Sequence, residues 1–284
     1  MGDAMGKLIF LDIDGTLTQM LAPPTPRVVQ AVREARANGH RVFLCTGRNL
    51  PIITEDILDI GFDGIVASAG CHVEIDGQVL YDSVLPEETV QECLSVFHGL
   101  GVYCRLETPE GIYTDPQMEE LLRAAAPDPQ NSELLRMQVE MESNLPLCSY
   151  AEYPRRGAYK ISFTAPGPEP LTEAERLLGD RFEFVTHSFH PGSVCVNGEI
   201  IRRDVGKDYG MELVCKHFSM TLADTVAFGD SMNDASMLRC AGISVAMGNA
   251  DDAVKALADR VCEDVADDGI YWELRRMGLC GETG

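Results

Sequence analysis

The apolar positions at the start of the chain come in short unbroken runs, separated by stretches with helical spacing. Leu8-Ile9-Phe10-Leu11 is four apolar residues in a row, the pattern of a strand buried on both faces. Thr25-Pro26 then offers an N-cap and a proline at the first helical position. Val28, Val29, Val32 and Ala35 follow at helical spacing, and Gly39 ends the helix. Residues 41–45 predict a second strand. Pro51 predicts the opening of another helix through Ile53, Ile57 and Leu58, closed by Gly61, and residues 64–67 predict a third strand. The β-α-β-α-β order predicts an α/β fold: a doubly wound, Rossmann-like parallel sheet. The same alternation returns late, with helices over 206–218, 234–239 and 252–258 and strands over 225–228 and 243–247.

The middle of the chain breaks this rhythm. From about Val84 to about Ile200 the sequence is richer in Pro, Glu and Met. Thr108-Pro109-Glu110-Gly111 reads as a hairpin turn, 127–144 as a loose stretch, 159–163 and 182–186 as strands, and 171–178 as a helix. These signals predict a core domain of residues 1–83 and 201–284 with an α+β cap domain, residues 84–200, inserted into it. The connections near Asp82-Ser83 and Ile201-Arg202 are the expected hinges.

Charge narrows the partners. Lys and Arg total 23 against 45 Asp and Glu, a formal net charge of -22 in 284 residues. Nucleic acids and anionic membranes both reward cationic surfaces, so neither is expected as a partner. No apolar run approaches the roughly 18 residues of a membrane span. The ten cysteines include no CxxC and no zinc-finger spacing, which suits reduced thiols in a reducing compartment. A cytoplasmic monomer or small homo-oligomer is the expectation.

The candidate chemistry lies where the apolar strands stop. In open parallel α/β sheets, ligands bind beyond the carboxyl ends of the strands. Asp12 and Asp14 follow the first strand, spaced so that both face one side of an extended chain, and Gly15 permits a sharp turn after them. One carboxylate can attack while the other moves protons. Asp-x-Asp alone also fits a polar turn. Thr46-Gly47-Arg48 ends the second strand; a hydroxyl and a glycine N–H suit a phosphate oxygen, though the triplet alone also fits an ordinary strand-to-helix turn. Gly229-Asp230-Ser231-Met232-Asn233-Asp234 ends a later strand, and its clustered oxygens suit a hard cation or, equally, a helix cap. Lys207 opens a helix, where the dipole is already positive, which suggests an anion to bind, though a lone lysine also fits an exposed surface position.

Taken in order, these four signals resemble the haloacid-dehalogenase-like phosphatases. Asp12-Ile13-Asp14-Gly15-Thr16 is similar to their first motif, Thr46 to the second, Lys207 to the third and Gly229–Asp234 to the fourth. The insertion between Thr46 and Lys207 resembles the C2 cap of the Cof-type subgroup, and the later run Val245-Ala246-Met247-Gly248-Asn249-Ala250, followed by Ala258-Asp259 and Asp268-Gly269, resembles that subgroup's C-terminal pattern. The resemblance implies a phosphatase acting on a small-molecule phosphate ester, most often a sugar phosphate. It implies Asp12 as nucleophile and Asp14 as acid and base. Ile13, Thr46, Gly47, Lys207 and Asn233 would bind the phosphate. Magnesium would lie at Asp12, the Asp14 carbonyl and Asp230, supported by Asp234. Where the subgroup commonly carries Asn-Gly-Ala, this chain has Ser68-Ala69-Gly70. Arg105, Tyr113, Lys160 and His187 are candidates to meet substrate from the cap, though each alone also fits a surface or packing position. A phosphomutase remains open, as do a phosphoacceptor signalling domain and an inactive binding protein. Paired Asp12 and Asp14, and an insertion of this size, fit a hydrolase better than a receiver.

Overall fold

The computed structural model describes residues 6–19, 22–124, 137, 138, 141, 147–186 and 195–281. In chain order the elements are β1 (Leu8–Leu11), α1 (Pro26–Ala37), β2 (Arg41–Cys45), α2 (Glu55–Leu58), β3 (Gly64–Ala67), β4 (His72–Ile75), β5 (Gln78–Asp82), α3 (Glu87–Gly99), β6 (Tyr103–Glu107), β7 (Ile112–Thr114), α4 (Pro116–Ala124) and β8 (Leu147–Ser149). They continue with β9 (Lys160–Ala165), α5 (Glu169–Leu178), β10 (Phe182–Thr186), β11 (Val196–Arg202), α6 (Lys207–His217), β12 (Thr225–Gly229), α7 (Ala235–Cys240), β13 (Ile243–Ala246), α8 (Asp252–Lys255), β14 (Arg260–Val261) and α9 (Gly269–Arg276). The chain forms two compact units: residues 1–48, 53–82 and 205–284, and residues 49–52 and 83–204.

The first unit is built on an eight-stranded sheet in the order β14-β13-β12-β1-β2-β3-β4-β5. β1 is its centre, parallel to β12 on one side and β2 on the other. All four residues of β1 are buried, which is why its sequence is continuously apolar rather than alternating. Helix α1 starts as expected: the Thr25 side chain accepts from the Val28 N–H at 3.3 Å, and Val28, Ala31, Val32 and Ala35 are its buried face. Phe10 and Phe43 stack at 5.2 Å between neighbouring strands, within a cluster that includes Val66, Met211, Val214 and Ala227.

The expected α/β fold with its parallel-rich sheet is present, with one addition and one change. The sheet is not parallel throughout: β4 and β5 add an antiparallel hairpin at one edge. Asp76 and Gly77 both have positive φ (50° and 75°), the two-residue turn that Asp-Gly favours. The helix foreseen from Pro51 is also shorter. Leu50–Ile52 form a single 3-10 turn, and α2 begins only after Thr54, which is extended.

The second unit has a six-stranded sheet in the order β10-β11-β9-β6-β7-β8. One face carries Leu106, Ile161, Phe163 and Ile200 against Val90, Leu94 and Phe97 of α3 and Leu171, Ala174 and Leu178 of α5. Thr108-Pro109-Glu110-Gly111 does join two antiparallel strands, β6 and β7. The stretch 127–144 lies mostly outside the described residues.

Candidate active site

The site begins at the carboxyl ends of β1 and β12. Asp12 leaves β1 with its N–H donating to the Phe228 carbonyl at 3.2 Å, and its side chain is buried. The chain then turns tightly: Leu17 and Thr18 N–H groups donate to the Ile13 carbonyl at 3.0 and 3.1 Å, and the Gly15 N–H donates to the Thr18 carbonyl at 2.9 Å. Gly15 has a φ of 79°, and a Cβ there would lie 2.3 Å from Asp230 Oδ2. No other residue lets the turn pass so close to that carboxylate.

Lys207 opens α6 and is 1% exposed. Its ammonium donates to Asp12 Oδ1 at 2.6 Å and to Asp234 Oδ1 at 2.5 Å. Burial favours the neutral amine, but the two carboxylates outweigh it and raise the Lys207 pKa, so the cation persists. The other oxygen of Asp234 accepts from the Asp230 and Ser231 N–H groups at 3.0 and 3.1 Å. Asp234 therefore pins the lysine and the turn after β12 at once. Asp230 Oδ1 accepts from the Thr16 hydroxyl at 2.9 Å, and Asn233 Oδ1 takes the Ser231 hydroxyl at 2.6 Å.

Asp12, Asp230 and Asp234 each offer a carboxylate oxygen, and those atoms lie within 4.8 Å of one another. Burial, then repulsion from Asp234, pushes the Asp12 pKa up to about 7 despite Lys207. Burial, then Asp234 and Asp12, raises Asp230 well above the ordinary carboxylate range. With Asp14, four carboxylates stand against the two cations Lys207 and Arg48. If all are ionised, the group carries a formal charge of minus two. Hard oxygen donors, short of two positive charges, form an acidic cluster that could hold a divalent metal ion, and magnesium fits it.

Strand β2 supplies the neighbouring part. Thr46 is buried, its N–H donates to the Val66 carbonyl at 2.8 Å, and its hydroxyl accepts from the Arg48 N–H at 3.1 Å. Gly47 lies between them. Arg48 reaches back to Asp14, with Nε 2.8 Å from Oδ2 and Nη2 2.6 Å from Oδ1. Sequence reasoning gave Arg48 no role, although it follows two assigned residues directly. It also gave none to Thr16 or Asn249, whose Nδ2 donates to the Gly15 carbonyl at 2.8 Å while its Oδ1 accepts from the Val265 N–H at 3.0 Å.

The candidates in the second unit fall into different surroundings. Tyr113 pairs with Leu106 and packs in the apolar cluster, with Tyr153 5.5 Å away between ring centres. Arg105 and Lys160 alternate onto the opposite sheet face and are buried with Glu107, Ser162, Thr164, Asn197 and Glu199. Lys160 Nζ is 2.6 Å from Glu199 and 3.3 Å from Glu107. His187 lies outside the described residues. Removing a buried lysine from between two buried carboxylates leaves their charge less compensated, so Lys160→Met should lower unfolding stability by ~3–5 kcal/mol. Breaking the exposed pair Arg176–Glu173 should cost far less, because solvent screens it. Denaturant unfolding of both variants checks the contrast; equal losses would mean that the Lys160 cluster is not desolvated.

The profile of the haloacid dehalogenase-like hydrolase family matches residues 9–274. The chain belongs to this family. Among curated relatives, phosphatase YwpJ of Bacillus subtilis (strain 168) is 28% identical over 294 residues, covering 95% of this chain and 99% of that protein. The HMP-PP phosphatase of Yersinia enterocolitica is 27% identical over 251 residues, covering 87% and 85%. Among solved structures, the sugar phosphatase BT4131 of haloacid-dehalogenase subclass IIB superposes with a TM-score of 0.77 at 25% identity, covering 96% of this chain and 99% of that one. The protein is a haloacid dehalogenase-like phosphatase by these comparisons. Among the described residues, no helix is long and apolar enough to cross a membrane.

Proposed function

We propose that this chain is a magnesium-dependent phosphatase of small phosphate monoesters, with sugar phosphates the first class to test, working through a phosphoryl group carried on Asp12. One observation carries the reading: a buried aspartate at the end of the central strand is held at 2.6 Å by a buried lysine, beside two further carboxylates. Structural needs alone do not explain so much like charge concentrated in one buried place.

In this reading an oxygen of Asp12 attacks phosphorus in line, forming a new O–P bond as the ester P–O bond breaks. Asp14 gives a proton to the departing alcohol oxygen. It then takes one from a water that attacks phosphorus, freeing phosphate and restoring Asp12. Lys207 has three N–H donors, and the two directed at Asp12 and Asp234 leave a third for a phosphate oxygen. The hydroxyl of Thr46, the N–H groups of Ile13 and Gly47, and the Asn233 side chain are assigned to the other phosphate oxygens. Asp12, the Asp14 carbonyl and Asp230 would hold the magnesium ion, with Asp234 behind them, and its charge would relieve the repulsion between the carboxylates and an anionic substrate. We assign the unit of residues 49–52 and 83–204 to substrate recognition, as a cap hinged near Asp82-Ser83 and Ile201-Arg202.

The test is phosphate release from a panel of esters with magnesium present. The panel should include sugar phosphates and HMP-PP, the substrate named for the Yersinia relative. Turnover of a sugar phosphate above the other esters is expected. No release from any member would end the reading.

A further inference from the structure

Arg48 is the second cation of the site, and the backbone around it is built at some cost. Ser68, Ala69 and Gly70, just after β3, have φ values of 50°, 53° and 96° in succession. Two side-chain-bearing residues in the left-handed region are a local strain that surrounding structure must hold. Here the Ser68 N–H donates to the Arg48 carbonyl at 2.8 Å, and the Ala69 N–H to the Thr46 carbonyl at 3.0 Å. The strained turn thus grips both ends of Thr46-Gly47-Arg48. It is wedged in turn against the start of α6, since a Cβ on Gly70 would lie 2.1 Å from the Gly206 carbonyl oxygen. The Arg48 N–H is anchored as well, on the Thr46 hydroxyl. From this fixed base the guanidinium, 12% exposed, engages both oxygens of Asp14. A planar fork on both oxygens of one carboxylate fixes its rotation as well as its place, which a point charge cannot do.

We propose that Arg48 is a positioning residue for proton transfer, acting on the reaction through Asp14 rather than through the substrate's phosphate. This rests on the reading of Asp14 as the acid and base. The proton balance is unchanged by Arg48: Asp14 gives one proton to the ester oxygen as P–O cleaves and regains one from the attacking water. Arg48 keeps the carboxyl group aimed through both halves. The hydrogen bonds from the Ser68 and Ala69 N–H groups keep the backbone of Arg48 in place.

The test compares Arg48→Gln, Arg48→Lys, Asp14→Asn and the double variant Asp14→Asn/Arg48→Gln on an alkyl phosphate and on para-nitrophenyl phosphate. The nitrophenolate leaves without needing a proton, so a residue that serves proton donation matters less for it. Arg48→Gln should lower kcat roughly tenfold to hundredfold on the alkyl phosphate and less on the aryl one, with KM little changed. Arg48→Lys should fall between, because it restores charge without the fork. In the Asp14→Asn background, Arg48→Gln should cost less than about twofold more, since its partner is already disabled. A rise in KM common to both substrates, or an undiminished cost in the Asp14→Asn background, would show that Arg48 acts on substrate directly and overturn the proposal. If Asp14→Asn itself shows no dependence on the leaving group, the role of Asp14 fails first and Arg48's with it. Thermal melting of each variant guards against loss of fold; if Arg48→Gln does not fold, Arg48→Lys carries the comparison.

Discussion

Asp12→Asn should leave a folded protein with almost no turnover. The substitution keeps the size and much of the hydrogen bonding of the side chain, so the Lys207 contact at 2.6 Å has an acceptor still. What it removes is the negative oxygen that attacks phosphorus, and no other group described at the site stands at the end of the central strand. A loss of roughly ten-thousand-fold in kcat or more is expected, equal to about 5.5 kcal/mol of barrier at about 1.4 kcal/mol per tenfold. Stability should hold or rise, because a carboxylate whose burial and neighbours push its pKa up to about 7 is costly to the fold when ionised. Steady-state kinetics with thermal unfolding separates the two effects. Turnover within tenfold of the unaltered protein would remove Asp12 from the mechanism.

Removing divalent metal should be nearly as damaging. Burial and the nearness of Asp234 disfavour the ionised forms of Asp12 and Asp230, and Lys207 supplies one positive charge where more is needed. A chelator should abolish activity and magnesium should restore it. Calcium should restore it poorly, because it favours longer bonds and more ligands than an octahedral site supplies. The sign of the pH dependence follows from Asp12. Its folded pKa lies above its ordinary value, so the metal-free protein should lose stability as pH rises from about 4 to about 7. Magnesium should therefore raise the melting temperature more at neutral pH than in mild acid, with proton release on binding. Full activity in excess chelator, or a magnesium effect that is largest in acid, would contradict the assignment.

Burial on both faces leaves β1 and the inner parts of β2 and β12 continuously apolar, which made them legible, and the first polar residue after each run marks its end. Asp12, Thr46 and Asp230 were visible for that reason, and Lys207 because a cation is out of place at a helix start. The hairpin of β4 and β5 carried a readable Asp76-Gly77 turn, yet β5 is an edge strand exposed along most of its length, and its apolar run Val79-Leu80-Tyr81 is only three residues long. The helix expected from Pro51 shortened because proline fits a 3-10 turn equally well. The Arg48–Asp14 pair was not legible, since it depends on β1 and β2 lying side by side across 34 positions of sequence. In the second unit, strand parity decides the matter: Tyr113 shares the helix-facing side with Leu106, while Arg105 and Lys160 fall on the other. Only the pairing register reveals that.

The central claim is that the phosphoryl group passes through Asp12. It is tested most directly by mixing enzyme, magnesium and a turned-over ester for milliseconds, quenching, and reducing with borohydride, which converts an acyl phosphate to an alcohol and leaves a free carboxylate untouched. Peptide mass spectrometry then locates the modified position. The account predicts reduction at Asp12, dependent on substrate and lost in Asp12→Asn. Reduction at a different carboxylate, or none in Asp14→Asn with saturating para-nitrophenyl phosphate, where phosphoryl transfer needs no proton and dephosphorylation is slowed, would contradict it.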